Sequence, residues 1–205
     1  MDYGFKDLKD PNAYNPERAK QLLAEDGWKD TDGDGILDKD GKPLTFNFVV
    51  YNSRAELPLY AEAVQADLKK VGIDMKIKTV DYNLIDKMGQ EGDYDMLISN
   101  IVTANTGDPI WFLANYWHTN NNGSNPQNGS GYSNPQVDQL LDAAETEFDP
   151  AKRRDYAIQI QQLLMNDGAA LFLGYPKTNI VTGSYLKGAV MYPSDYYWIT
   201  NKITK

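Results

Sequence analysis

The feature that most constrains the fold is an alternation of strand-like and helix-like patterns in the first half of the chain. Apolar residues alternate with polar ones over Thr45–Tyr51 and again over Ile73–Ile77, which predicts two strands. Over Pro58–Gly72 they recur at helical spacing instead, which predicts a helix that ends at its glycine. A short helix over residues 84–90 and a third strand over residues 94–101 complete a βαβαβ order. Because parallel neighbours need a long crossover connection, this order predicts an α/β fold with a mostly parallel sheet flanked by helices.

Further helices are marked by an Asn or Asp followed by proline. The polar side chain accepts a hydrogen bond from the first turn, and proline loses no helical bond at the first position. This pairing predicts four helix starts, at Asn15-Pro16, Asp108-Pro109, Asn134-Pro135 and Asp149-Pro150. The helix that starts at Pro16 is predicted to end at Asp26. The helix that starts at Pro135 is predicted to bury Phe148 on its apolar face. A return strand is predicted near Ala169–Tyr175.

Two polar segments lie between these elements. Residues 118–133, the Asn-rich loop, are too long for an ordinary connection, which predicts a functional or mobile segment. Residues 30–41, the aspartate loop, have the alternating acids of a calcium-binding loop, namely Asp30, Asp32, Asp34 and Asp38. Position twelve is Gly41, where such loops place a bidentate Glu, so we predict a weak calcium site or, alternatively, a simple polar turn. A calcium site would open an alternative function, a calcium-stabilised structural or adhesive module.

Composition and missing motifs exclude several classes of function. The net charge of −9 disfavours a nucleic-acid partner, whose phosphates would repel the chain. The absence of cysteine excludes disulfides and thiol catalysis. His118 is the single histidine, and neither a Gly-x-Ser-x-Gly motif nor a Walker loop accompanies it. The sequence contains no run of about 18 apolar residues, so no membrane span is predicted. We therefore expect a non-catalytic protein.

Four stretches of the chain form a distinctive series. They are YNPERAKQLLAEDGW with DTDGDGILDKDGKPL, LPLYAEAVQADLKKVGIDMKI, GDYDMLISN with GDPIWFL, and YSNPQVDQLLDAAETEFDPAKRRDYAIQIQQLLMNDGAALFLGY. In this order they resemble the extracellular solute-binding proteins of family 5, the receptors of peptide and nickel ABC importers. The resemblance covers nearly all 205 residues, and the series is specific although no single stretch is.

The resemblance implies that residues 1–205 form the single C-terminal lobe of a bilobed receptor, with a periplasmic-binding-protein-like fold. The N-terminal lobe and a signal peptide or lipoprotein anchor are expected upstream. The receptor is expected to capture a peptide-like molecule or a nickel or other metal chelate and to pass it to an ABC permease. It is expected in the periplasm or lipid-anchored at the outer face of the cytoplasmic membrane.

Candidate ligand residues follow the predicted strands, because open α/β sheets bind ligands beyond the carboxyl ends of their strands. Tyr51 and Asn52 end the first strand, and the loop over residues 102–107, which contains Thr103, follows the third. In peptide-binding relatives this loop carries an aspartate that pairs with the amino terminus of the peptide, and the resemblance places Asn105 there. A neutral amide cannot make that charge-assisted bond, which argues against a peptide with a free amino terminus. Alternatively, Asn105 simply holds the loop.

The next helix supplies two more candidates. Trp111 either lines the cleft or packs beneath it. In nickel-receptor relatives a histidine after this helix helps to hold a metal chelate, and the resemblance suggests that role for His118. A single imidazole suits nickel or zinc that is held mainly by a small chelator. Alternatively, His118 is a solvated residue of a polar loop.

Overall fold

The structure is a computed structural model that describes residues 6–101, 108–175, 179–190 and 200–205. Residues up to Leu171 form one compact unit, and residues from Phe172 onward form another. The first unit contains the sheet and the helices described below. In the second unit, Lys187 and Thr204 form an isolated antiparallel bridge. The assignment of residues 1–205 to a single lobe stays a prediction.

Helix α1 (Pro16–Glu25) and an antiparallel hairpin precede the main sheet. The hairpin strands are β1 (Asp38–Lys39) and β2 (Lys42–Pro43). The two connecting residues, Asp40 and Gly41, have φ of 53° and 73°, as a two-residue type I′ turn requires. The hairpin therefore forms from a local Asp-Gly signal, since both residues tolerate the left-handed conformation.

Three parallel strands form the main sheet. Strand β3 (Thr45–Tyr51) lies between β4 (Asp74–Val80) and β5 (Met96–Leu97). Helix α2 (Glu56–Lys69) connects β3 to β4, and helix α3 (Ile85–Glu91) connects β4 to β5 after one turn of 3₁₀ helix. The predicted α/β fold, its βαβαβ order and its parallel pairing are confirmed.

The central strand is buried on both faces in its second half. Phe48, Val49, Val50 and Tyr51 are each at most 3% exposed, and residues of α2 and α3 belong to the same core. The sequence pattern predicted burial of alternate residues only. The difference arises because the crossover helices of a parallel sheet cover both of its faces.

All four predicted helix starts are confirmed. In each, the Asn or Asp side chain accepts a hydrogen bond from a first-turn amide, and proline follows it. Besides α1, these helices are α4 (Pro109–Trp117), α5 (Pro135–Thr146) and α6 (Pro150–Asn166). The last three pack around a second apolar core. Within the described residues, none of the helices has both the length and the apolar character needed to cross a membrane.

Strand β5 is shorter than the strand predicted over residues 94–101. A backbone hydrogen bond to β3 remains on each side of it, and side-chain contacts to the backbone accompany these bonds. Before β5, the Asp95 carboxylate accepts a hydrogen bond from the Asn47 amide at 2.7 Å. After β5, the Tyr51 hydroxyl oxygen accepts one from the Asn100 amide at 3.1 Å. The strand pairing between β3 and β5 covers Met96 and Leu97, in the middle of the predicted strand.

Two other predicted boundaries and one predicted strand are wrong. Helix α2 begins at Glu56 rather than Pro58, because Pro58 lies in the first turn, where a missing amide hydrogen breaks no helical bond. Phe148 lies beyond the end of α5 and is 92% exposed, because the chain is already extended after Thr146. Ala169–Tyr175 forms no strand, since the sheet of the described residues consists of β4, β3 and β5 and offers it no partner.

Candidate functional site

Tyr51 joins the carboxyl ends of β3 and β5. It is 1% exposed, and its hydroxyl oxygen accepts the hydrogen bond from the Asn100 amide, which follows β5. Burial raises the pKa of Tyr51, so its phenol stays protonated at neutral pH. Tyr51 therefore supports this edge from within the core, whereas Asn52, the next residue, is exposed there.

A second tyrosine, Tyr82, follows β4 at the same edge. Its ring contacts the ring of Tyr51 edge-on, with 5.1 Å between the ring centroids, and it is 57% exposed. Burial raises the pKa of Tyr116 on α4, and the charges of Asp86 and Tyr82 add to this rise. No sequence pattern had singled out Tyr82, although the topology argument that selected Tyr51 also applies to the residues after the second strand.

Helix α4 presents Trp111 in its first turn. One carboxylate oxygen of Asp108 accepts from the Ile110 amide at 3.0 Å, and the other accepts from the Arg153 guanidinium on α6. Ile110 is buried in the second core, whereas Trp111 is 37% exposed. This exposure leaves part of the indole open to a ligand, and the place of Trp111 in the site stays a prediction.

Two predicted ligand residues, Thr103 and Asn105, lie outside the described residues, which stop at Ile101 and resume at Asp108. Their roles stay predictions. So does the argument from Asn105 against a peptide with a free amino terminus.

His118 follows α4, and its ring faces oxygen atoms on two sides. Nδ1 lies 3.3 Å from the Thr119 carbonyl oxygen and 3.6 Å from an Asp138 carboxylate oxygen, and Nε2 lies 3.3 Å from Asp142. Partial burial lowers the pKa of His118, but Thr119, Asp138 and Asp142 together outweigh it and raise the pKa above its ordinary value. A metal chelate at this ring would have to displace one of these oxygens, and the predicted chelate contact stays a prediction.

The Asn-rich loop folds as a cap on the end of α4. Asn128 is 4% exposed, and its side-chain amide donates to the carbonyl oxygens of His118 and Tyr132 at 2.9 and 2.8 Å. The Asn125 amide donates to His118 and Ala114 at 2.7 and 3.2 Å. Both amides bind the carbonyl oxygen of His118, which lies at the end of α4, where carbonyl groups lack helical partners. The loop therefore has a structural role, which the prediction of a functional or mobile segment did not include.

The aspartate loop brings three of its four predicted ligands together. Carboxylate oxygens of Asp30, Asp32 and Asp38 lie within 4.8 Å of one another. Asp30 also accepts hydrogen bonds from two glycine amides of the loop, at 2.7 and 3.1 Å. Asp34 is outside this group and accepts from the amide two residues further on at 2.7 Å. Three carboxylates suit calcium, but the hydrogen bonds that Asp30 and Asp34 accept also suit a polar turn without metal. The calcium site therefore stays a prediction.

Two adjoining cavities lie away from the carboxyl edge of the sheet. Their volumes are about 380 and 390 Å³, and both are lined by Gly92, Tyr94 and Asp95 at the amino end of β5. Asn52 and Tyr82 lie instead at the opposite ends of the strands, on exposed surface. Among the described residues, Asn52 and Tyr82 thus form an exposed part of the candidate site, as one wall of a larger cleft would be.

A small parallel sheet covered by helices, with tyrosine and amide side chains at its carboxyl edge, defines an α/β lobe of the periplasmic-binding-protein type. Sequence comparison then identifies the family. The chain belongs to the bacterial extracellular solute-binding proteins of family 5. Residues 1–124 match the family model described as Bacterial extracellular solute-binding proteins, family 5 Middle.

Individual relatives cover the chain but extend well beyond it. The oligopeptide-binding protein AppA of Bacillus subtilis is 32% identical over 196 residues, which are 92% of this chain and 34% of AppA. The structure of AppA in complex with a nonapeptide matches with a TM-score of 0.69 at 31% identity, over 80% of this chain and 32% of that one. NikA from Brucella suis in complex with Fe(III)-EDTA matches with a TM-score of 0.68 at 28% identity, over 82% of this chain and 33% of that one. The chain therefore spans about a third of the length of these relatives.

Proposed function

We propose that the chain is one lobe of an extracytoplasmic receptor that captures a solute for an ABC importer and makes or breaks no covalent bond. The observation that carries the proposal is the carboxyl edge of the sheet, where the exposed Tyr82 rests against the buried Tyr51. A braced aromatic ring offers a ligand a large contact area and loses little freedom on binding. Membership of family 5 supports the same interpretation.

The proposed ligand is a peptide-like molecule or a metal chelate. AppA was solved with a nonapeptide and NikA with Fe(III)-EDTA, so both classes occur among the relatives. Asn105 lacks the charge to pair with an ammonium group, which favours a blocked peptide or a chelate. His118 is the only imidazole of the chain and could bind nickel within a chelate if its ring released Asp142.

In this proposal the chain supplies one wall of the cleft. It spans about a third of its relatives, and bilobed receptors close on their ligands about a hinge. An N-terminal lobe of the same receptor supplies the opposite wall, and a membrane permease receives the ligand from the closed form. The receptor acts in the periplasm or, lipid-anchored, at the outer face of the cytoplasmic membrane. Nucleic acid is not a partner, because the net charge is −9.

Ligand identification from the full-length receptor tests the proposal. The receptor is purified without unfolding, its bound molecules are identified by mass spectrometry, and its metal content is measured. We expect a blocked peptide or a nickel chelate in stoichiometric amount. A plain peptide with a free amino terminus would contradict the interpretation of Asn105. A receptor that holds no solute, and binds neither acetyl-trialanine nor nickel(II)-histidine when these are added, would contradict the capture function.

A further inference from the structure

We infer that Arg153 is a positioning residue for ligand binding, because it holds the start of α4 and with it Trp111, a candidate ligand residue. This inference rests on the proposed function, since it concerns the same ligand site. Arg153 lies on α6, 45 residues from Asp108 in the sequence, and no sequence pattern pointed to it.

The guanidinium of Arg153 joins three helices. Its Nη1 donates hydrogen bonds to two carbonyl oxygens at the end of α5, those of Ala144 and, at 2.9 Å, Glu147. Its Nη2 donates to the Asp108 carboxylate at the start of α4. The side chains of Arg153 and Asp108 are 22% and 36% exposed, so water only partly screens the pair. The cation also suits the end of α5, where carbonyl oxygens lack helical partners.

Asp108 connects this network to Trp111. One of its oxygens binds Arg153 and the other caps Ile110 at 3.0 Å, so a single carboxylate ties the first turn of α4 to α6. Trp111 lies in the turn that Asp108 caps. A shift of Asp108 would therefore move the first turn of α4 and the indole of Trp111 together.

The network needs an arginine and not merely a positive charge. Two different nitrogens of Arg153 bind the ends of two different helices at once, which the planar guanidinium allows. A lysine keeps the charge, but its single nitrogen cannot occupy both positions. Arg153→Lys therefore removes the bridge between α4 and α5 while it preserves the net charge.

The test compares Arg153→Lys with Arg154→Lys in the full-length receptor. Arg154 is the next residue of α6, and its guanidinium binds Asp7, so the control makes the same chemical change beside the network. Hydrogen–deuterium exchange measures the stability of the first turn of α4. Calorimetric titration with acetyl-trialanine and with nickel(II)-histidine measures binding. Asp108→Asn is a second variant, because an asparagine oxygen can still cap the helix but carries no charge for Arg153.

We expect Arg153→Lys to speed exchange of the amides of residues 110–112 by roughly tenfold, as the loss of one charge-assisted hydrogen bond would. We expect it to weaken binding by a similar factor, Asp108→Asn to act in the same direction, and Arg154→Lys to leave both measurements near the wild-type values. Unchanged exchange in α4 would overturn the inference. Equal acceleration in α1 would also overturn it, because it would indicate a general loss of stability.

The two proposals fail in different ways. If Arg153→Lys loosens α4 and a bound probe keeps its full affinity, the inference is wrong while the capture function stands. If the wild-type receptor binds neither probe, the capture function is wrong, and the ligand part of the inference falls with it. The exchange rates would still decide whether Arg153 holds the start of α4.

Discussion

Tyr51 ends β3 and Tyr82 follows the neighbouring parallel strand β4, yet the two residues have different environments. Tyr51 is buried, and its hydroxyl group satisfies the backbone amide of Asn100. Tyr82 is 57% exposed and rests against the Tyr51 ring. A change at Tyr51 would therefore act first on stability, because it leaves a backbone amide without its partner. A change at Tyr82 would act first on binding.

Tyr82→Ala should lower the affinity of the full-length receptor for its co-purified ligand by about tenfold, because it removes one braced aromatic contact. The melting temperature should change little, since the ring is mostly exposed. Titration calorimetry and thermal unfolding check the two expectations. Tyr14→Ala is the matched control, because Tyr14 is 71% exposed and precedes α1, away from the carboxyl edge. Equal losses of affinity in the two variants would contradict a role for Tyr82 in binding.

The stability of the chain should also depend on pH through His118, its single histidine. Partial burial opposes protonation, but Thr119, Asp138 and Asp142 outweigh it and raise the pKa of the folded state. A raised pKa stabilises the fold fully below the unfolded-state pKa of about 6.5, and this contribution is lost as the pH rises through the folded-state pKa. The difference in melting temperature between the wild type and His118→Gln should therefore shrink from about pH 6 to pH 8. A difference that stays constant over this range would contradict the proposed ion pairs.

At the scale of elements, the predictable features were those encoded by adjacent residues. The four helix starts required only a capping side chain and a proline, and all four formed. The length of β5 was not predictable in this way, because it depends on pairing with β3, which is distant in the sequence. The return strand over residues 169–175 failed for a similar reason, since a strand needs a neighbour that its own sequence does not supply.

The aspartate loop allows a sharp test of the calcium prediction. If calcium binds Asp30, Asp32 and Asp38, the melting temperature should be higher in calcium than in chelator, because a ligand that binds only the folded state stabilises it. Asp32→Asn should abolish this difference, because it removes one charged ligand. Asp34→Asn should preserve it, because Asp34 lies outside the group of three. Identical melting curves of the wild type in calcium and in chelator would leave the loop as a polar turn.

At the scale of the whole molecule, the order of patterns along the chain predicted the fold class and the family. Periodicity and capping identify elements, and the βαβαβ order then restricts how they can pair. The candidate site was harder to predict from the sequence. Topology located its edge, but the side chain that faces solvent there depends on how the rings of Tyr51 and Tyr82 pack. The chain also spans about a third of its relatives, so a ligand would meet surfaces that this sequence does not contain.

Strand β4 has a further consequence for how the lobe behaves when it is handled alone. Among the described residues, β4 pairs only with β3, so its other side exposes backbone groups that a second molecule could join. Lys76 and Lys78 are exposed along β4 and pair with Asp74 and Asp93 at 2.7 and 3.6 Å. A second copy that added itself to this strand would have to strip water from these charges. The lysines thus give the strand protection against edge-to-edge aggregation.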